Sequence, residues 1–206
     1  MSSDAGHPRY AVLISGRGSN LRAILDAELD ATCVGVLSSR SGAPGLTVAA
    51  AAGLPTAVVL AGEHPQREAY DAAVAETLDA WGADWIVLAG FMRILSTGFL
   101  RRYAGRVVNI HPSLLPAFPG LRPQQQALDA GVREAGCTVH LVVPGEVDGG
   151  PILAQARVPV LPGDDERSLS ERILAQEHAL YPATLARLFA GRFDDDAPRP
   201  GAVGST

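Results

Sequence analysis

The chain has 206 residues, of which 47% are hydrophobic, and its formal net charge is −5. This length and apolar content suit a single α/β domain whose core needs neither disulfides nor metal. The acidic balance argues against broad binding to nucleic acid phosphates. No apolar run approaches the roughly 20 residues that cross a bilayer, and residues 1–9 lack the apolar core of a signal peptide. We therefore expect a cytoplasmic protein with no membrane or nucleic acid partner.

Short apolar runs alternate with helical patterns through the first half of the chain. Residues 10–15 predict a buried strand, and Ser19 or Asn20 is expected to cap the helix that follows. Next come a strand at TCVGVLSS, a helix at LTVAAAAG, a strand at PTAVVL, a helix over about 66–81 and a strand at DWIVLAG. This alternation predicts an α/β fold with a Rossmann-like, mostly parallel sheet and helices on both faces. Ligands are then expected at the carboxyl ends of the strands.

The second half departs from this simple alternation. A short helix near 97–103 and a brief strand at RVVNIH lead into a long, proline-rich loop and another helix. Two β segments, CTVHLVV and PILAQARVPVL, flank the turn-rich PGEVDGGP and predict a hairpin joined to the sheet. A long helix over about 165–190 closes a single domain at 8–192. The acidic, non-periodic residues 193–206 are expected to form a disordered tail.

The turn after the first strand is a candidate phosphate site. It consists of Gly16, Arg17, Gly18, Ser19 and Asn20. Backbone N–H groups at such a turn and at a helix N-terminus can face an anion, although an ordinary βα turn has the same appearance. A dinucleotide fingerprint would require a third glycine where Leu21 stands and an acidic residue near 38–40. A lone phosphate is therefore favoured over NAD.

Three polar residues suggest acyl transfer. Asn109 and His111 alternate along one strand, so their side chains share a face. Asp148 precedes two glycines that allow a close backbone approach to a ligand. The alternatives are a strand-end Asn and His satisfied by the backbone and an ordinary turn Asp. Together they supply an amide donor, a group that titrates near neutrality and a carboxylate, which suits chemistry through a tetrahedral intermediate.

Other polar residues are expected to be structural. Cys33 and Cys137, the only cysteines, lie in apolar stretches without CxxC spacing and are expected to be buried, reduced thiols. His140 and His178 are expected to be packing residues, since no HxxH or HxH cluster supports a metal site. We therefore predict no bound metal.

Five motifs carry a resemblance to a known family. ISGRGSNL, AGFMRIL, NIHPSLLP with the following PG, VDGGPI and QEHALYP occur in the order and spacing of the folate-dependent glycinamide ribonucleotide formyltransferases. The resemblance covers nearly all of residues 10–192. HPSLLP and DGGP are shared with methionyl-tRNA formyltransferases and formyltetrahydrofolate hydrolases, so they indicate the chemistry better than the acceptor. The ISGRGSNL turn, which holds the substrate phosphate in the family, and a length without room for the relatives' extra domains favour the ribonucleotide.

The resemblance implies transfer of the formyl group of 10-formyltetrahydrofolate to the amine of glycinamide ribonucleotide in purine biosynthesis, by a monomer or homodimer. Asn109, His111 and Asp148 would be catalytic. The ribonucleotide would contact Gly16, Arg17, Gly18, Ser19, Asn20 and Glu177. The folate would contact Arg67, Met92, Arg93, Ile94, Leu95, Val143, Pro144, Gly145, Glu146 and Val147. Without the resemblance, Arg67 and Glu177 would read as solvated helix residues and 92–95 as a packed turn.

Alternatives and departures accompany this prediction. The same cleft could pass formyl to water, and a non-catalytic nucleotide or folate sensor would keep the phosphate turn. GLRPQQQAL lacks the histidines that the family often has near Arg122 and Gln124. The loop VVPGEVDGG reads as one residue longer than in a bacterial form of the family. Arg17 adds a positive charge to the phosphate turn.

Overall fold

The computed structural model of the protein describes residues 7–192. Its elements, in chain order, are β1 (Arg9–Ile14), α1 (Ser19–Asp26), β2 (Thr32–Ser38), α2 (Gly45–Ala51), β3 (Thr56–Val58), a 3₁₀ turn (Ala61–Glu63), α3 (Arg67–Trp81), β4 (Trp85–Leu88), α4 (Thr97–Arg102), β5 (Val107–His111), α5 (Pro123–Asp129), β6 (Glu134–Leu141), β7 (Ile152–Pro159) and α6 (Glu166–Phe189). The tail predicted at 193–206 lies outside the described residues.

The strands form one seven-stranded sheet in the order β3-β2-β1-β4-β5-β6-β7. β1 to β5 run parallel, and β6 and β7 are antiparallel to their neighbours. This confirms the predicted Rossmann-like, mostly parallel sheet and its hairpin. The chain proceeds outward from β1 to β3 and then returns to place β4 beside β1. Such a reversal opens a crevice at the carboxyl ends of the two central strands.

Apolar strands divide their side chains between two cores. Along β1, Tyr10, Val12 and Ile14 belong to the core that includes Leu21 of α1 and residues of α6. Ala11 and Leu13 belong to the core formed with α3 and α4. Alternation places successive side chains on opposite faces, so an uninterrupted apolar run serves a strand covered on both sides. Helices therefore pack on both faces, as predicted.

Two details of the predicted elements are corrected. The N-cap of α1 is Gly18, in the left-handed conformation with φ 77°, rather than Ser19 or Asn20. The Asn20 amide instead reaches α6, as described below. β3 spans three residues, Thr56–Val58, which is shorter than the apolar run PTAVVL suggested. Among residues 7–192, no helix is long and apolar enough to span a bilayer.

Candidate active site

The end of β5 brings Asn109 and His111 into one polar cluster. Antiparallel pairing sets Asn109 opposite His140 of β6. The Asn109 Nδ2 atom lies 3.1 Å from His140 Nε2. The loop after β6 folds back so that Asp148 lies 3.4 Å from His111 Nδ1 and 3.7 Å from His140 Nε2. The three residues predicted to be catalytic are thus joined by a fourth, His140.

His111 has a hydrogen-bond acceptor beside each ring nitrogen. Its Nε2–H donates to the Phe118 carbonyl at 3.0 Å, and its Nδ1 faces the Asp148 carboxylate. A neutral ring with its proton on Nε2 leaves a lone pair on Nδ1, whereas the imidazolium can donate from both nitrogens. The ring is almost fully buried, with 7% of the side chain exposed. Each ring nitrogen of His111 therefore has an acceptor oxygen close to it.

Asp148 is held by its backbone and by the loop after β5. It adopts a positive φ of 55°, and its Oδ2 accepts from the backbone N–H of Gly120 at 2.9 Å. A Cβ on Gly150 would lie 1.8 Å from the Leu141 carbonyl oxygen, so a glycine is required where the loop enters β7. The DGG sequence thus allows the loop to fold close enough for Asp148 to reach His111.

His140 occupies a site that favours its neutral form. It is 1% exposed, and burial lowers the pKa of its imidazole more strongly than the nearby Asp148 raises it. Its Nδ1–H donates to the Leu141 carbonyl at 3.0 Å, which leaves Nε2 as an acceptor. The Asn109 amide can therefore donate one N–H to His140 and direct its second N–H into the cleft.

The candidate phosphate turn, residues 16–20, depends on close packing of two glycines. Gly18 and Gly45 approach so closely that a Cβ on Gly18 would lie 2.6 Å from the Gly45 Cα. The Gly45 N–H also donates to the Gly16 carbonyl at 3.0 Å. The turn borders an open pocket of about 650 Å³ that is lined by Ser15, Gly16 and Arg17 and by residues 39–44. Arg17 is exposed at this pocket, where it can contribute positive charge.

Asn20 and Glu177 meet across 157 positions of sequence. The Asn20 amide donates to Glu177 Oε2 at 2.7 Å, in a buried setting. Burial raises the pKa of the Glu177 carboxyl, and the bond from Asn20 opposes that effect. Asn20 Oδ1 is buried without a partner in the described part of the chain. The structure thus pairs Asn20 with Glu177, two residues predicted to contact the ribonucleotide, in a buried hydrogen bond.

The residues predicted to contact the folate lie in the segments 92–95 and 143–147 and at Arg67, the first residue of α3. Met92 and Ile94 are 71% and 60% exposed, whereas Leu95 is buried. Residues 144–147 are exposed at the loop that carries Asp148, and Val143 is half-buried. Arg67 is exposed at the first position of α3. Arg93 lies over the Tyr70 ring, 4.9 Å from its centroid. The packed turn expected in the absence of the resemblance is present only at Leu95.

Comparison with known proteins identifies the family. Residues 8–185 match the family model described as formyl transferase. Phosphoribosylglycinamide formyltransferase of Escherichia coli is 48% identical over 88% of this chain and 87% of its own. Glycinamide ribonucleotide transformylase 1 of Symbiobacterium toebii is 49% identical and superposes with a TM-score of 0.88 over 91% of this chain and 90% of its own. The chain belongs to the phosphoribosylglycinamide formyltransferases. The family uses a formylated tetrahydrofolate.

Some relatives are much longer. The trifunctional purine biosynthetic protein adenosine-3 of Drosophila pseudoobscura is 52% identical over 89% of this chain. The chain spans only 14% of that relative's length. The resemblance to this relative therefore concerns the formyltransferase portion alone.

A buried hydrogen-bond cluster holds the HPSLLP loop of this formyltransferase. Thr138 Oγ1 donates to the Ser113 carbonyl at 2.7 Å and accepts from the Leu115 N–H at 3.0 Å. The Gln155 amide donates to both Thr138 Oγ1 and the Leu115 carbonyl, at 2.9 and 2.8 Å. This loop delivers the Phe118 carbonyl to His111. Sequence reasoning missed Thr138 and Gln155, because only strand register shows that they face the loop.

The segment GLRPQQQAL is held by hydrogen bonds at its N-terminal end and by an ion pair to α6. The Gln126 amide donates to the carbonyls of Pro119 and Leu121 at 3.2 and 2.8 Å. Arg122 pairs with Glu166 of α6, with Nη2 and Oε2 2.8 Å apart. Gln126 and the ion pair of Arg122 with Glu166 thus hold this segment in place. Nowhere in residues 7–192 do three or more His, Cys, Asp or Glu side chains form a group that could hold a metal ion.

Proposed function

We propose that the chain transfers the formyl group of 10-formyltetrahydrofolate directly to the amine of glycinamide ribonucleotide. The observation that carries this proposal is the joint placement of Asn109, His111 and Asp148 beside the carboxyl ends of the central strands. The Gly16–Asn20 turn and Glu177 would hold the phosphate and ribose of the acceptor. Residues 92–95 and 143–147, with Arg67, would receive the folate. The family membership supports both substrates.

The chemistry needs charge stabilisation at the formyl oxygen. As the amine attacks the formyl carbon, negative charge develops on that oxygen in a tetrahedral intermediate. The free N–H of Asn109 and the positive charge of a protonated His111 stabilise it. His140 helps by accepting the other Asn109 N–H at 3.1 Å, which fixes the direction of the amide. Preorganised donors of this kind need no rearrangement as the charge forms.

The reaction also moves one proton. The attacking amine loses a proton when the new C–N bond forms, and the folate nitrogen gains one when the old C–N bond breaks. Asp148 and His111 Nδ1, 3.4 Å apart, can relay this proton directly or through one water. No covalent bond to the enzyme is required, so no serine or cysteine nucleophile enters the scheme.

The two cysteines support a cellular location for the reaction. Cys33 and Cys137 are free thiols, which is typical of the cytoplasm, where we propose that the enzyme acts as a monomer or homodimer.

A product assay tests the function: the protein is incubated with 10-formyltetrahydrofolate, with and without glycinamide ribonucleotide. Formylated ribonucleotide is the expected product. Release of formate at the same rate without the acceptor would instead identify a hydrolase.

A further inference from the structure

Asp71 lies on the buried face of α3 although it carries an ionisable group. Its neighbours on this face include Val74, Ala75 and Leu78, and it is only 3% exposed. It forms no ion pair with any side chain of residues 7–192. Aspartate is rarely buried to this extent unless it is paired, because removing such a group from water is unfavourable. Packing alone does not account for an aspartate here.

The Asp71 carboxyl contacts the end of the 92–95 segment. Its Oδ2 accepts from the Ser96 backbone N–H at 2.5 Å. Ser96 in turn is the N-cap of α4, and its Oγ accepts from the Phe99 N–H at 3.2 Å. Asp71 Oδ1 is buried without a partner among the described residues. The carboxyl group therefore holds one backbone N–H, at the point where the segment joins α4.

The other end of the segment is hydrogen-bonded to Ser15, the residue that follows β1. The Met92 N–H donates to Ser15 Oγ at 2.8 Å, and the Ser15 N–H donates to the Gly90 carbonyl at 3.1 Å. Between this tie and Ser96, the side chains of Met92 and Ile94 are directed into solvent. The bonds of the Met92 and Ser96 N–H groups thus hold the two ends of a short segment. The side chains of Met92 and Ile94 between them are available to a ligand.

Tyr70, the residue before Asp71, supports the same segment through its ring. The ring is 1% exposed and lies under the Arg93 guanidinium. Its hydroxyl is buried and has no partner within the described chain. The ring is therefore the part of Tyr70 that contacts the segment.

We propose that Asp71 is a positioning residue for the folate co-substrate. By accepting from the Ser96 N–H, it fixes residues 92–95 in the conformation that receives the folate. This inference rests on the proposed function, since it assigns the folate to this segment. Asp71 touches neither the acceptor turn nor the cluster around His111. Its loss should weaken binding of the formylated folate and leave the chemical step unchanged.

Three variants test the inference: Asp71→Leu, Asp71→Asn and the control Thr77→Val, on the same helix, where Thr77 Oγ1 donates to the Ala73 carbonyl. Asp71→Leu removes the acceptor while keeping a side chain branched at Cγ, and it should raise KM for 10-formyltetrahydrofolate about tenfold. The kcat and the KM for glycinamide ribonucleotide should stay within about twofold of the unmodified values. Asp71→Asn keeps an acceptor oxygen and should restore folate KM to within about threefold. Thr77→Val should leave all three constants unchanged.

Hydrogen exchange of the Ser96 amide, measured without ligand, separates a positioning role from a general one. Exchange should be faster in Asp71→Leu than in Asp71→Asn or Thr77→Val. If Asp71→Leu does not fold, Asp71→Ser replaces it, because a serine hydroxyl is too short to reach Ser96. An unchanged folate KM, or a parallel loss in kcat and both KM values, would overturn the inference. Failure of the unmodified protein to formylate the ribonucleotide would instead overturn the proposed function, and Ser96 exchange would still report on Asp71.

Discussion

Asn109 donates an amide N–H to His140 Nε2 at 3.1 Å, across neighbouring antiparallel strands. His140 can accept this bond because its own N–H, on Nδ1, is engaged by the Leu141 carbonyl. A neutral, buried histidine therefore sets the orientation of the amide proposed to stabilise the oxyanion.

Replacing His140 with leucine should lower kcat about tenfold with little change in either KM. The Asn109 amide would lose its acceptor and turn away from the formyl oxygen. Steady-state kinetics with both substrates measures this effect. His178→Leu is the control, since His178 Nε2 is buried with no partner in the described part of the chain. Equal kcat values for the two variants would remove His140 from the mechanism.

The same variant should alter the dependence of stability on pH. Burial holds the pKa of folded His140 below its ordinary 6.5, so the unfolded chain binds more protons as the pH falls through that value. Stability is therefore lost below about pH 6.5 and is not affected by this group well above it. His140→Leu should lose less unfolding free energy than the unmodified protein between pH 7.5 and 5.5, as measured by urea denaturation.

Asp148→Asn and His111→Ala should each reduce kcat by about a hundredfold or more while the fold is retained. The first removes the carboxylate that pairs with His111, and the second removes the imidazole itself. Circular dichroism and single-turnover rates with both substrates provide the measurements. Asp30→Asn, at an exposed position, serves as the control. Near-normal turnover in either active-site variant would refute the assignment.

Glu177→Gln should stabilise the protein and weaken acceptor binding. Burial raises the folded pKa of Glu177 above its ordinary 4.5, so its charged form disfavours folding at neutral pH. This effect declines as the pH falls through the raised pKa and is gone below about 4.5. A neutral glutamine avoids it. Thermal unfolding at pH 7.5 should show a higher Tm, and titration calorimetry should show about tenfold weaker binding of glycinamide ribonucleotide. Unchanged affinity would exclude Glu177 from the acceptor site.

Gly18→Ala should destabilise the fold more than Gly53→Ala. Both glycines have a positive φ, but the space around Gly53 is open for 4 Å, whereas a Cβ on Gly18 meets the Gly45 backbone at 2.6 Å. The control should lose about 1 kcal/mol of unfolding free energy, and Gly18→Ala about 2 kcal/mol more. Denaturant titration measures the difference. Similar losses would show that the turn can relax.

Thr138→Val should loosen the HPSLLP loop. It leaves the Ser113 carbonyl and the Leu115 N–H without their partner, at a loss of about 2 kcal/mol, and it should lower kcat through the displaced Phe118 carbonyl. Thr77→Val is the matched control, since Thr77 Oγ1 donates only within its own helix, to Ala73 at 3.1 Å. Unfolding curves and kcat are to be compared. A control that loses as much of both quantities would contradict this role.

The sequence predicted local structure better than contacts between distant segments. The apolar run of β1 and the helical pattern of α3 were recognised because each has a strong period of its own. The cap of α1 was misassigned because Asn20 bonds to Glu177, 157 positions away, and no local pattern shows this. The hydrogen bond between Asn109 and His140 likewise depends on the register of β5 and β6, which no local pattern shows. Predicted positions were therefore reliable where neighbours in sequence determine them.

The residues proposed for formyl transfer and those proposed to bind the acceptor come from different parts of the chain, which affects how the acceptor specificity can change. The proposed formyl chemistry depends on β5, β6 and the loop up to Asp148, one continuous stretch of about forty residues in the sequence. The proposed acceptor contacts come from the turn after β1 and from α6. These two sets of residues lie in separate parts of the sequence, so the acceptor contacts can change without altering the residues proposed for formyl transfer. Changing the acceptor then calls for edits at the two ends of the chain, with its centre left intact.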